Sequence, residues 1–225
     1  MKELKGKIFS IEKDNKPISG CTISKEIYSG DNYIAYYSLA KNTDISAEIY
    51  PYHKLISICG GEAIVYTHSG EEYILTKGDS ILTPINVPVG IKTKNSAIYV
   101  EIAIRREDKM NECVKVGEVF KLSETIPYQE GKIVNMDVIS NEKMKFVLMA
   151  FDEGTGLSPH SAPGEALIFA LDGEAVIGYE GKEHHITAGE NFSFAKGGMH
   201  FVKATKKFKM ALLLTLKWKE KVWLR

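Results

Sequence analysis

The sequence predicts an all-β chain built as two similar halves in tandem, each a small antiparallel sandwich or barrel. Three observations carry this. Short blocks recur at a steady offset: Gly117 follows Gly6 by 111 residues, and Gly173 follows Gly61 by 112. Turn signals bearing glycine interrupt the chain at short intervals, so its segments read as many short strands. Helical periodicity is absent until residues 216–224, where a short amphipathic turn or two is expected.

Taken in order, Gly6-Lys7-Ile8-Phe9 opens the first half as Gly117-Glu118-Val119-Phe120 opens the second. Residues 34–39 and 146–151 are rich in aromatic and branched side chains and lack turn formers, so each reads as a strand. Thr43-Asp44-Ile45-Ser46 then answers to Thr155-Gly156-Leu157-Ser158. Gly61-Glu62-Ala63-Ile64-Val65 matches Gly173-Glu174-Ala175-Val176-Ile177, and Thr76-Lys77-Gly78-Asp79 matches Thr187-Ala188-Gly189-Glu190. Turns are expected at Ser29-Gly30-Asp31-Asn32, Cys59-Gly60-Gly61 and Ser69-Gly70. They recur at Asp172-Gly173, Glu180-Gly181-Lys182 and Gly197-Gly198. The charged stretch that starts at Arg105 separates the halves and sets domains at 1–110 and 111–225. Trp218 and Trp223 near the chain end call for apolar cover, at the junction of the halves or in a dimer contact.

The totals narrow the function classes. A length of 225 residues holds two domains of about 100 residues each. A formal net charge of zero supplies no long-range attraction, so neither nucleic acid nor membrane is expected as a partner. The basic run at 203–209 reads as a solvated strand end. Cys21, Cys59 and Cys113 are odd in number, far apart and form no CxxC, which argues against a disulfide framework or a structural zinc site. The opening Met1-Lys2-Glu3-Leu4-Lys5 lacks the apolar core of a signal peptide, and the apolar run at 210–214 is too short to span a bilayer. A soluble, cytoplasmic setting is expected.

Two spaced motifs then stand out in the second half. The first runs from Gly154 through five residues to His160-Ser161-Ala162 and on to Gly173. The second runs from Gly189 through five residues to Ala195-Lys196-Gly197-Gly198-Met199-His200. Together they resemble the two motifs of the cupins, G-x5-H-x-H-x3,4-E-x6-G and G-x5-P-x-G-x2-H-x3-N. The likeness covers most of residues 117–216 and is to small bacterial cupin-domain proteins; it reaches the first half through the duplication. Cupins are double-stranded β-helix barrels related to jelly rolls. The resemblance therefore implies two tandem cupin barrels, a bicupin.

It also implies a metal. Two histidines at i, i+2 on a strand point to one barrel face, and a carboxylate and a third histidine complete one side of an iron, manganese, nickel or zinc ion. This chain keeps part of that set. His160 and His200 hold the first and last ligand positions, while Ala162 and Ala166 replace the second histidine and the glutamate. Glu165 lies one residue early, which turns a strand side chain to the opposite face unless the Pro163-Gly164 pair bulges the chain. The expected ligand and metal residues are thus His160, His200 and Glu165, with His184 or His185, on opposite strand faces, as another third donor. In the first half Glu48, Tyr50 and Val89 occupy the ligand positions, and His53 sits opposite Glu165. An apolar or filled N-terminal barrel is expected.

The favoured function is a small-molecule-binding or sensor bicupin, its ligand in the second barrel with or without a weakly held divalent metal, and a homodimer as a further expectation. The alternative is a metal-dependent enzyme, a dioxygenase or an isomerase of a small polar substrate. Three protein ligands are the usual minimum for a catalytic metal, so the alanine at 162 favours binding. A third reading is a structural pair of barrels acting through a partner protein. A hydrolytic triad of Ser158, His160 and Glu165 is set aside, because no nucleophile elbow accompanies it.

Overall fold

The computed structural model describes residues 1–30 and 32–216. Apart from Leu216, the expected helical turn at 216–224 lies outside them, as do both tryptophans. The first half holds β1 (Ile8–Phe9), α1 (Ile11–Asp14), β2 (Thr22–Tyr28), β3 (Ile34–Leu39), β4 (Asp44–Glu48), β5 (His53–Thr67), β6 (Glu72–Thr76), β7 (Asp79–Leu82), β8 (Val89–Lys92), β9 (Ala97–Ile104) and β10 (Lys109–Met110). The second holds β11 (Val119–Lys121), α2 (Leu122–Thr125), β12 (Ile133–Ser140), β13 (Met144–Phe151), β14 (Gly156–Ser161), β15 (Glu165–Tyr179), β16 (Lys182–Thr187), β17 (Asn191–Phe194) and β18 (Met199–Thr215). The chain is all-β, with two antiparallel nine-stranded sheets curled into two barrels.

Pairing registers show that the halves share one strand plan. Tyr37 faces Tyr99 across β3 and β9 as Met149 faces Met210 across β13 and β18. Ile56 faces Glu101 as Ile168 faces Leu212. Glu48 faces Val89 as His160 faces His200, each after a register shift in the same strand. The long strands β5 and β15 each bend midway: the ladder slips between Ile58 and Gly60 in β5 and between Gly173 and Ala175 in β15, and beyond it β5 passes from β7 to β6 and β15 from β17 to β16.

The two sheets exchange their leading strands. β1 pairs with β17 of the second barrel, Ile8 opposite Phe192. β11 pairs with β7 of the first, Val119 opposite Ile81. β10 likewise joins β12, so the charged linker ends inside the second sheet. That linker is pinned by Asp108, which accepts from Asn32 Nδ2 at 2.6 Å and from Asn141 Nδ2 at 2.8 Å.

Strand alternation sorts the buried side chains into three cores. On β9 every residue is buried. Ile98, Val100, Ile102 and Ile104 face a core between the barrels, together with Leu55, Phe146, Leu148 and Leu213. Tyr99 faces the first barrel's interior with Ile56, Ile58 and Val65. The second barrel is filled by Phe151, Ile168, Phe192, Phe194, Phe208 and Met210. The shared core is contiguous and drawn from both halves, which is why the barrels form one body.

Candidate functional site

In the second barrel the motif histidines come together. His160 on β14 and His200 on β18 are paired residues, and their rings lie 4.3 Å apart. His200 is buried and also stacks on Phe194 at 4.2 Å; His160 is exposed. His160 Nδ1 lies 2.8 Å from the Ser158 carbonyl, and His200 Nδ1 lies 2.9 Å from the Gly198 carbonyl. A carbonyl only accepts, so each neutral ring carries its proton on Nδ1 and leaves the Nε2 lone pair free. Burial, with the neighbouring His160, lowers the pKa of His200, against the opposing pull of the Gly198 carbonyl.

Glu165 does not join them. Its carboxylate is taken by the Met1 ammonium and by Lys5 Nζ at 3.0 Å. The one-residue displacement explains this: Ala166, Ile168 and Ala170 face the second barrel's interior, whereas Leu167 faces the core between the barrels. The parity of Glu165 is that of Leu167, and the Pro163-Gly164 pair does not reverse it. His184 is half-buried, its ring 5.0 Å from that of Phe192, and His185 is exposed. Among the described residues no group of three or more His, Cys, Asp or Glu is placed to hold a metal. The donor set thus fits a two-imidazole seat and does not fit a three-ligand centre.

The first barrel departs from the expectation of an apolar interior. It encloses a cavity of about 50 Å³ lined by Tyr37, Glu48, Tyr50, Lys54, Tyr99 and Glu101 with Ile45, Ile56, Val89 and Ile91. Lys54 Nζ forms an ion pair with Glu101 Oε1 at 3.2 Å, and that buried oxygen has no hydrogen-bond donor among the described residues. The buried Tyr99 hydroxyl also has no hydrogen-bond partner among the described residues. The Lys54 ammonium sits 3.7 Å over the Tyr50 ring, and Tyr50 donates to Glu48. The Tyr37 and Tyr99 rings stack at 4.9 Å, 6° from parallel. Burial pushes the Glu101 carboxyl up to about 8 and draws the Lys54 ammonium down to about 8. At Lys54 the Glu48 carboxylate opposes the fall. His53 takes no part: it is buried, with Nδ1 2.7 Å from the Thr83 carbonyl.

Motif counting missed this group because none of Lys54, Tyr99 and Glu101 is itself a motif residue. A signal was present. A glutamate inside the run Ala97-Ile98-Tyr99-Val100-Glu101-Ile102-Ala103-Ile104 is a charge in a strand apolar on both faces.

The comparisons with known proteins agree with this architecture. Residues 147–216 match the family model of the cupin domain. Over 95% of this chain and 98% of the other, the fold is similar to a cupin 2 conserved barrel domain protein from Leptotrichia buccalis, with a TM-score of 0.83 and 27% identity. A salicylate 1,2-dioxygenase from Pseudaminobacter salicylatoxidans aligns over 82% of this chain and 70% of its own, with a TM-score of 0.58 and 10% identity, a likeness of fold alone. AerE from Microcystis aeruginosa aligns over 87% and 98%, with a TM-score of 0.50 and 16% identity. No curated protein matches the chain. With a cupin domain matched at residues 147–216 and one strand plan repeated in both halves, the chain has the fold of two cupin barrels in tandem.

Proposed function

We propose that this protein is a small-molecule-binding bicupin whose second barrel seats a divalent metal on His160 and His200. One observation carries the reading. Both imidazoles are held by backbone carbonyls in the same tautomer, with rings 4.3 Å apart and Nε2 available on each. Carbonyls in that position orient metal-binding histidines and raise their basicity. Two protein donors leave several coordination positions for water and for the donor atoms of a small ligand. An iron, manganese, nickel or zinc ion suits imidazole. Ala162 and Ala166 at the other ligand positions favour binding over turnover, since a catalytic ion usually keeps three protein ligands. The enzyme reading requires a donor that the described residues do not place there.

The test is elemental analysis of protein purified without chelator and without a histidine tag, followed by zinc titration. His160→Ala is expected to abolish metal uptake, because one imidazole does not hold the ion. His185→Ala, on an exposed side chain, is expected to leave uptake unchanged. Full metal content in the His160→Ala protein would remove the assignment.

A further inference from the structure

We infer that the N-terminal barrel is a second, metal-independent binding site, for a small neutral molecule carrying both a carbonyl and a hydroxyl group. The duplication supplies the internal control. One backbone plan is filled in two ways. At equivalent depth the second barrel has Met149, Met210, Leu212 and Ala166, an apolar plug. The first has Tyr37, Tyr99, Glu101 and Lys54, facing a cavity. The apolar set shows that this fold needs no polar groups at that depth. Burying them is costly unless they are paired. Yet Tyr99 is fully buried and Glu101 is 3% exposed; among the described residues the Tyr99 hydroxyl has no hydrogen-bond partner, and Glu101 Oε1 has the Lys54 ion pair but no hydrogen bond.

The chemistry of the unmet groups selects the ligand. Tyr99 offers a hydroxyl and Lys54 an ammonium, which call for an acceptor such as a carbonyl oxygen. Glu101 Oε1 calls for a donor such as a hydroxyl. Charge then chooses among molecules with both. The Lys54 ammonium already has Glu48 and Glu101 beside it on the same wall, so a carboxylate ligand finds no uncompensated positive charge there. A cationic ligand has no vacant place, because Lys54 already lies over the Tyr50 ring. Size sets the last limit: a cavity of about 50 Å³ holds roughly four water-sized groups. A two- to four-carbon hydroxycarbonyl compound satisfies all of these terms, with its carbon skeleton against Ile45, Ile56, Val89 and Ile91.

The experiment titrates hydroxyacetone, and separately lactate, into the intact protein by calorimetry and by NMR, with and without chelator. Saturable hydroxyacetone binding is expected, unchanged by chelator and about tenfold tighter than lactate binding. Tyr99→Phe removes one oxygen and keeps the ring stack; about tenfold weaker binding is expected, the loss of one hydrogen bond in a buried site. Lys54→Met is expected to abolish binding. If Lys54→Met protein fails to fold, Tyr99→Phe and Glu101→Gln decide the matter. The assignment is overturned by any of three results: no saturable binding of hydroxyacetone, lactate binding as tightly or more tightly, or wild-type affinity in both Tyr99→Phe and Glu101→Gln. Loss of binding on adding chelator would also overturn it, and would leave the histidine seat of the second barrel untouched.

Discussion

Alanine at Gly173 is expected to destabilise the protein by roughly 3 kcal/mol, against about 1 kcal/mol for alanine at Gly181. Both glycines have positive φ, 71° and 79°, so both substitutions carry the left-handed backbone penalty. They differ in what surrounds the new methyl group. At Gly173 it would come within 1.7 Å of the Lys207 carbonyl oxygen, a backbone atom that cannot swing aside. At Gly181 nothing lies within 4 Å. Gly173 is also where β15 slips register and bends toward the other side of its barrel, so relief by backbone movement would disturb the ladder with β18. Urea unfolding of the two variants measures the difference. Equal losses would mean that the bend is pliable and that close approach is not what requires glycine there.

The second large effect belongs to the buried pair. Lys54→Met alone is expected to lose about 3 kcal/mol, because it strands Glu101 at 3% exposure without its ion partner. The double variant K54M with E101L is expected to recover most of that loss, or to exceed the wild type. The second barrel already shows the apolar solution: Leu212 takes the place of Glu101 opposite Ile168, as Glu101 stands opposite Ile56. The pH profile gives an independent check. The folded-state pKa of Glu101 is raised to about 8, above its unfolded value. The unfolded chain therefore releases a proton that the folded chain keeps, and stability falls as pH rises from the ordinary carboxylate range toward 8. In the double variant the slope over this window should vanish. A double-variant stability no better than that of Lys54→Met alone, with an unchanged slope, would show that the pair is not the source of either effect.

The duplication was legible because turn glycines and strand blocks repeat in order, and the registers bear it out residue against residue. The histidine pair was legible because cupin spacing fixes which strands carry His160 and His200, and those strands turned out to be paired. The fate of Glu165 followed from period-two alternation, which outweighed the proposed bulge. Two things were not readable. Lys54 and Glu101 lie 47 positions apart and meet only through the pairing of β5 with β9. Local pattern carries no trace of such a meeting, although carrying the repeat alignment on into β9 would have set Glu101 against Leu212. The exchange of leading strands was equally hidden. β1 and β11 are two and three residues long, too short to carry a period, and nothing in them says which sheet they join.

That exchange has a consequence for assembly. The contact of Ile8 with Phe192 and that of Val119 with Ile81 are one contact seen twice, related by the approximate two-fold that relates the halves. Symmetric exchange of this kind is how two identical subunits clasp one another. Here both subunits sit on a single polypeptide, and the second encounter is intramolecular, at the high effective concentration that a short tether provides. Subunits on separate chains would come apart on dilution, because their folding is tied to their own concentration. Tethered halves escape that dependence. One half is then free to change its interior without having to remain a faithful copy of its mate, and in this protein a tyrosine-lined polar chamber and a phenylalanine-packed one stand back to back.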